Sequence, residues 1–173
     1  MDVDPVSGFV YVASSLATGV RVFDPARPDR EISLPAEVAP AELVFDRNAN
    51  RLHVGGASQR ILAVLSIETQ TVVERLNLCS PAGGLAYNPR SRRLYASLPA
   101  CRELVVLSPD AGLKIESVRF DEPPGLISFD PDYRELIVTS PSTNELLFFN
   151  VNSLQRVGTA AVGERPYLAL VPR

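Results

Sequence analysis

His53 is the only histidine in the chain, and histidine is the side chain best suited to acid–base catalysis or metal binding near neutral pH. One imidazole cannot supply a zinc site that needs several, and the carboxylates are spread along the chain without clustering. His53 also shares its place in an internal repeat with Tyr11, Tyr95 and Ile137, which indicates a packing position. We therefore predict no catalytic, metal-binding or cofactor-binding residue and no cofactor, with a hard-cation site of Asp, Asn and carbonyl oxygens left as an alternative without a motif.

Cys79 and Cys101 are the two cysteines of the chain, and they could form a disulfide. The bond would join residues 22 positions apart (101 − 79) and would stabilise the fold by about 3 kcal/mol through the entropy of the unfolded chain. It would also imply an oxidising compartment and an export signal upstream of this segment. The alternative is two unpaired loop thiols in a cytosolic protein, and both interpretations stay open.

Two short motifs could bind phosphate, and both have simpler explanations. Gly83 and Gly84 could let the backbone wrap a phosphate, but no helix follows to add its dipole, so close approach of two backbones explains them better. The basic turn at 88–93 has mixed or acidic counterparts elsewhere in the repeat, which indicates a solvated hairpin. Because the net charge is −3, we expect no nucleic-acid partner.

The chain also lacks the signals of a membrane or exported protein. No apolar run approaches the roughly 20 residues of a membrane span, and Met1–Pro5 has neither the basic start nor the apolar core of a signal peptide. We expect no membrane span and no signal peptide in this chain. Its localisation is unknown, with a periplasmic or secreted location slightly favoured if the cysteines pair.

A repeat of 42 residues determines where these residues lie. Its anchors each begin a strand–turn–strand phrase and are evenly spaced, at Asp4, Asp46, Asn88 and Asp130. Asp and Asn suit such turns because their side chains accept local backbone hydrogen bonds. A period of roughly 40 to 50 residues is typical of one blade of a β-propeller.

Each repeat contains four strand-like segments and no helical periodicity. A short apolar run precedes the anchor strand, a second apolar run follows it, and a more charged segment suits an outer edge strand. Only the first repeat is irregular, because its second apolar run ends two residues early at Asp24 and the following loop, 25–29, is two residues longer. We predict an all-β fold, a β-propeller of four blades with four antiparallel strands each. The approximate bounds of the blades are 1–34, 40–78, 82–120 and 124–162, with 166–171 as the first strand of a further blade or a ring-closing strand.

The repeat resembles a known family. The cadence Pro-x-x-[Leu/Ile]-x-[Phe/Tyr]-[Asp/Asn]-Pro, followed by Arg-x-Leu-[Tyr/His/Ile]-Val and, in the fourth repeat, by Asn144–Phe149, resembles the YVTN-type β-propeller repeat and the related seven-bladed lactonase-like propellers. The resemblance covers nearly the whole chain and implies a WD-repeat-like propeller fold. Propellers of this kind include binding modules, surface proteins and enzymes, so the resemblance implies no single function.

The number of repeats leaves three architectures open. Propellers of this type usually have about seven blades, and this chain has four repeats. The strand-like segments at the two ends are complementary, so that the C-terminal one could complete the N-terminal blade. The favoured interpretation is part of a larger propeller, and the alternatives are a closed four-bladed ring and two chains that self-associate to complete an eight-bladed ring. The final Leu170–Arg173 also equals the residues that a thrombin tag leaves behind.

For function, the repeat favours a binding or scaffold module without catalytic activity, because rigid blades that hold variable loops are suited to binding. The partner would be a protein or a small ligand. The alternative is a portion of a lactonase-like or related propeller enzyme with its site over the central channel. In a four-stranded meander the loops with Cys79 and Cys101 emerge on one face, where four loops are the candidate binding loops: Ser14 to Gly19, Gly55 to Arg60, Ser97 to Arg102 and Thr139 to Asn144.

Overall fold

The computed structural model describes residues 1–108, 111 and 113–167. Within this part of the chain the regular elements are sixteen β-strands and one short 3-10 turn at Pro99–Cys101. The strands are β1 (Asp2–Val3), β2 (Val10–Val12), β3 (Gly19–Asp24), β4 (Arg27–Pro35), β5 (Pro40–Asp46), β6 (Arg51–Gly56), β7 (Ile61–Ser66), β8 (Thr71–Asn77), β9 (Gly84–Asn88), β10 (Arg93–Leu98), β11 (Glu103–Ser108), β12 (Leu113–Arg119), β13 (Ile127–Asp130), β14 (Glu135–Ser140), β15 (Glu145–Asn150) and β16 (Arg156–Ala161).

The strands form four antiparallel sheets, and each sheet consists of four consecutive strands in chain order. We number them by position: the first sheet is β1–β4, the second β5–β8, the third β9–β12 and the fourth β13–β16. The predicted all-β fold with four four-stranded sheets is confirmed. No helix among the described residues is long and apolar enough to span a membrane. The further strand predicted at 166–171 lies outside the described residues from 168 onwards, and 166–167 are not in a strand.

The turn between the first two strands of each sheet explains why the anchor residues recur. In all four turns the anchor side chain accepts a hydrogen bond of 2.9–3.0 Å from the backbone N–H two residues later. Four residues after each anchor the backbone has a positive φ, at Gly8, Asn50, Arg92 and Arg134. The period of 42 is therefore a period of turn geometry as well as of apolar residues.

The first sheet differs from the prediction in the length of one loop. The loop predicted at 25–29 is shorter, because β4 begins at Arg27. A register shift between Phe23 and Asp24 accommodates the extra residues, so that Phe23 pairs with Glu31 while Asp24 pairs with Arg27. A β-bulge can absorb additional residues within a hairpin without changing the strands on either side, and the sequence pattern did not indicate one.

The chain divides into two compact units, Met1–Ala82 and Gly83–Arg173, each with two sheets and a core of its own. In the first unit, the core includes Tyr11 and Phe45, whose rings stack with centroids 5.4 Å apart. In the second unit, the core includes Tyr95, Leu136 and Phe149. Burial of such side chains is the main stabilising contribution within each unit.

Gly84 begins β9, the first strand of the third sheet, at a point where two backbones of the second unit come close together. A Cβ atom at Gly84 would lie 2.8 Å from the backbone nitrogen of Ile127 and 2.9 Å from the Cα of Leu126. A Cβ at Gly83 would lie 2.6 Å from the ring of Pro99. Close packing explains both glycines, as the sequence indicated.

We therefore expect Gly84→Ala to lower the free energy of unfolding by about 1 to 3 kcal/mol, because the backbone of Ile127 cannot move aside as a flexible side chain could. Urea denaturation measures the loss. Gly163→Ala is the matched control, since a Cβ there meets nothing within 4 Å, and it should leave stability nearly unchanged. Equal stability of the two variants would contradict the close-approach explanation.

Candidate functional site

The four candidate binding loops connect the second and third strands of the four sheets. In the second unit, the loops at 97–102 and 139–144 lie at the same end as the link 120–126 between β12 and β13. Hydrogen bonds join them, because the Ser97 hydroxyl donates to the Gly125 carbonyl at 2.6 Å and the Gly125 N–H donates to the Thr139 carbonyl at 2.7 Å. We call this region the loop end of the second unit.

Hydrogen bonds from hydroxyl and backbone groups connect the segments of the loop end. Ser97 and Thr139 are 0% and 1% exposed and occupy equivalent places in the repeat, 42 residues apart. The Thr139 N–H donates to the Leu126 carbonyl at 3.0 Å, and the Thr143 hydroxyl donates to Ser140 Oγ at 2.8 Å. A loop whose polar groups are satisfied in this way presents its outward side chains from a rigid support.

A groove of about 340 Å³ runs from the loop end along the fourth sheet. Its floor is apolar and is formed from both sheets of the second unit, by Val118, Phe120, Leu147, Phe149 and Leu154. The rings of Phe120 and Phe149 meet edge to face, with centroids 5.5 Å apart. The volume lies at the lower end of the range for ligand pockets, roughly 300 to 1,000 Å³.

The rim of the groove is charged and mostly acidic at the loop end. Asp121, Glu122 and Glu145 line this end, and Arg119 is a basic residue of the lining beside them. Arg119 Nε lies 3.5 Å from Glu103 Oε1, so its charge is already partly paired. The link that carries the first two carboxylates is held in place by the Arg102 guanidinium, which donates to the Asp121 carbonyl at 2.8 Å.

Sequence reasoning missed this groove. The sequence places Asn144–Phe149 in the repeat cadence, and Asp121-Glu122 falls between the predicted blades 82–120 and 124–162. The hydroxyl pair Ser97 and Thr139 left a signal, since both lie in the candidate loops one period apart. The groove left none, because it forms only when the end of β12 is placed against the face of β15.

A second cavity of about 260 Å³ lies at the other end of the second unit, among the turns. The basic turn at 88–93 contributes Asn88, Arg90 and Ser91 to it, and Arg134 and Pro131 come from the equivalent turn of the fourth sheet. Asn88 Oδ1 accepts hydrogen bonds from the Arg90 and Ser91 N–H groups at 3.0 and 3.3 Å. The basic turn is therefore structured as the hairpin that its sequence indicated.

His53 lies in β6, the second strand of the second sheet, and is fully buried. Its Nε2 atom is 3.8 Å from the Asp46 carboxylate, which is also buried. Position 53 is thus a core position, in agreement with its place in the repeat column of Tyr11 and Tyr95. A ligand or substrate from solution would have no access to this imidazole without opening of the sheet.

Glu42 is the residue that bears on the enzyme alternative, and the sequence did not single it out. It lies half-buried in β5, and burial raises the pKa of its carboxyl, although the positive amino terminus of the chain partly offsets the rise. Its repeat equivalents are Gly84 and Leu126, so the repeat gave no acidic pattern at this position. No group of three or more His, Cys, Asp or Glu side chains suited to a metal occurs among the described residues.

Cys79 and Cys101 are disulfide-bonded in the structure. Cys79 follows β8, and Cys101 ends the short 3-10 turn between β10 and β11. That the bond forms in the compartment where the protein works stays a prediction.

Two buried tyrosines should make stability depend on alkaline pH. Burial raises the pKa of Tyr11, to which the negative charge of Asp4 adds, and burial likewise raises the pKa of Tyr95 despite hydrogen bonds that favour the phenolate. In the unfolded chain these phenols ionise near pH 10. The unfolded state therefore binds fewer protons above that pH, and stability should be complete below about pH 10 and fall as pH rises through the folded-state values.

Urea denaturation between pH 8 and 11 measures this effect. Lys114 is the only lysine of the chain, so titration of lysine side chains contributes little in this pH range. We expect the double variant Tyr11→Phe/Tyr95→Phe to show a smaller loss of stability over this range than the wild type. A wild-type stability that does not change with pH, or the same slope in both proteins, would refute the assignment.

Comparison with solved structures identifies the fold. Sqt1 of Saccharomyces cerevisiae is similar to this chain with a TM-score of 0.75 and 9% identity, over 94% of this chain and 47% of that one. A chain of the Mitotic Checkpoint Complex is similar with a TM-score of 0.74 and 16% identity, over 89% and 47%. Hydrazine synthase of Kuenenia stuttgartiensis has a TM-score of 0.66 and 15% identity, over 72% and 36%.

These neighbours are β-propeller proteins, so the predicted fold class is confirmed. Each comparison covers less than half of the neighbour's chain. At these identities the similarity shows the fold alone. No family model and no curated protein sequence matches the chain.

Proposed function

We propose that the chain is part of a YVTN-type β-propeller that acts as a non-catalytic binding or scaffold module. The four sheets would be blades of one propeller domain, and the loop end of the second unit would face the partner. The groove of the second unit carries this proposal, because it combines an apolar floor with a charged rim on rigid strands. This is the composition of a site that recognises a ligand by shape and by charge.

A protein is the partner that we favour over a small molecule. The groove lining includes Glu145, Leu147 and Phe149, which are alternate residues of β15, and a strand face of this kind suits an extended segment of another chain. One similar chain belongs to the Mitotic Checkpoint Complex, which supports protein partners for propellers of this fold. For the lactonase-like alternative, Glu42 offers one carboxylate with a raised pKa, and one such group is insufficient for the paired acid and base roles that the alternative requires.

Selection of peptides tests the proposal. A phage-displayed library of random dodecapeptides would be selected on the immobilised wild-type protein, and the enriched peptides would be synthesised and their affinities measured. We expect binding to fall tenfold or more in Thr143→Trp, because the indole would fill the loop-end part of the groove. Thr71→Trp, on the second sheet and equally exposed, is the matched control and should bind normally.

One result of this selection would contradict the proposal. If no enriched peptide discriminates Thr143→Trp from Thr71→Trp, the groove is not the binding site. Circular dichroism of both variants would show that each retains the β-sheet spectrum, so that loss of binding reports the groove and not unfolding.

We also propose that the chain belongs to a larger propeller and works in an oxidising compartment, periplasmic or extracellular. The coverage of less than half of each neighbour supports the first point, and the disulfide supports the second. Self-association of two chains is the alternative way to complete a ring. Light scattering of the purified chain distinguishes part of a larger propeller from self-association. A mass of two chains at micromolar concentration would favour self-association.

A further inference from the structure

The charges around the groove are arranged unequally along its length. Asp121, Glu122 and Glu145 surround the loop end, and Arg156 lies at the far end, where it pairs in register with Phe149. The apolar floor lies between these two ends. A segment that fills the groove therefore meets carboxylates at one end and an arginine at the other.

The three carboxylates at the loop end are available to a ligand. Their side chains make no ion pair in the part of the chain that the structure describes, whereas Arg119 is already shared with Glu103 at 3.5 Å. Asp121 and Glu122 are exposed on the link, and Glu145 is half-buried at the start of β15. A cation placed among them would gain attraction from all three, strengthened by the apolar surface beside it.

We infer that the groove binds a partner-protein segment that carries an arginine or lysine close to a large apolar residue. This inference rests on the proposed function and specifies its ligand. The basic side chain lies among Asp121, Glu122 and Glu145, and the apolar side chain packs on Leu147 and Phe149. Charge complementarity at the loop end selects the occupant, because an acidic segment would be repelled there.

The spacing of the two anchors follows from the strand. Leu147 and Phe149 are two and four residues beyond Glu145 on β15, and an extended chain advances about 3.3 Å per residue. A segment that runs alongside β15 therefore places its apolar residue two to four positions from its basic residue. This is a short linear motif that a peptide library can reveal.

The experiment uses the random dodecapeptide library already described, on the whole chain. We expect the groove-dependent peptides to share Arg or Lys two to four residues from Leu, Met or Phe. Their affinity should fall about tenfold in Asp121→Lys/Glu122→Lys and should weaken with added salt. Asp132→Lys is the matched charge control, because Asp132 lies in an exposed turn of the same fourth sheet. This variant should bind the peptides as the wild type does.

A charge exchange makes the test specific. Peptides resynthesised with Glu in place of the basic residue should bind the wild type weakly and bind Asp121→Lys/Glu122→Lys several-fold better than the original peptides do. A merely structural effect of the lysines would not produce this recovery.

The failures of the two proposals are distinguishable. Peptides that lose binding to Thr143→Trp but carry no basic residue, or that bind Asp121→Lys/Glu122→Lys unchanged, would overturn the inference and leave the binding function standing. Peptides that are indifferent to Thr143→Trp would overturn both.

Discussion

Replacement of both cysteines, Cys79→Ser/Cys101→Ser, should lower the free energy of unfolding by about 3 kcal/mol, the value of the loop-entropy model for a bond across 22 residues (101 − 79). The unfolded wild-type chain is restricted by the bond, and the variant is not. Urea denaturation under non-reducing conditions measures the difference. Because each single substitution breaks the same bond, Cys79→Ser and Cys101→Ser should each lose about as much as the double variant.

Thiol titration provides the independent check. The wild-type protein, denatured without reductant, should react with no equivalent of a thiol reagent, and with two equivalents after reduction. Two reactive thiols before reduction would contradict the bond, and with it the argument for an oxidising compartment.

Asp46→Ala should also cost about 3 kcal/mol, whereas Asp130→Ala at the equivalent position of the fourth sheet should cost about 1 kcal/mol. Both carboxylates accept two backbone hydrogen bonds in their turns. Asp46 is 2% exposed and faces the buried His53, so water cannot replace the lost interactions. Asp130 is more exposed, and water can replace them there.

Asp46→Asn separates the two roles of this carboxylate. An asparagine oxygen can accept the turn hydrogen bonds, as Asn88 does in the third sheet, but it removes the negative charge that faces His53. We expect an intermediate loss of stability. Equal losses for Asp46→Ala and Asp130→Ala in urea denaturation would show that burial of the turn carboxylate is unimportant.

The strand frame could be predicted from the sequence because it depends on local signals repeated four times. An acceptor side chain at each anchor and apolar runs at fixed offsets from it are enough to define strand, turn and strand. The bulge after Phe23 escaped prediction, since a register shift leaves the hydrophobic pattern of the flanking strands unchanged.

The candidate site could be predicted only in part. The loops at 97–102 and 139–144 were identified from their position between strands, and the structure joins them through Ser97 and Gly125. The groove beside them was not, because its floor combines Phe120 of the link after β12 with Phe149 of β15, and these two rings touch only after packing.

The amino-acid sequence by itself determined the order of the strands and their antiparallel pairing within each sheet, since turn chemistry and a regular period act between neighbours along the chain. The tertiary structure alone decided which of several equivalent residues became buried, such as Asp46 and not Asp130, and which charged residues came to surround an apolar groove. Burial and electrostatic environment depend on the side chains that distant segments bring into contact, and those contacts leave no periodic signal in the sequence.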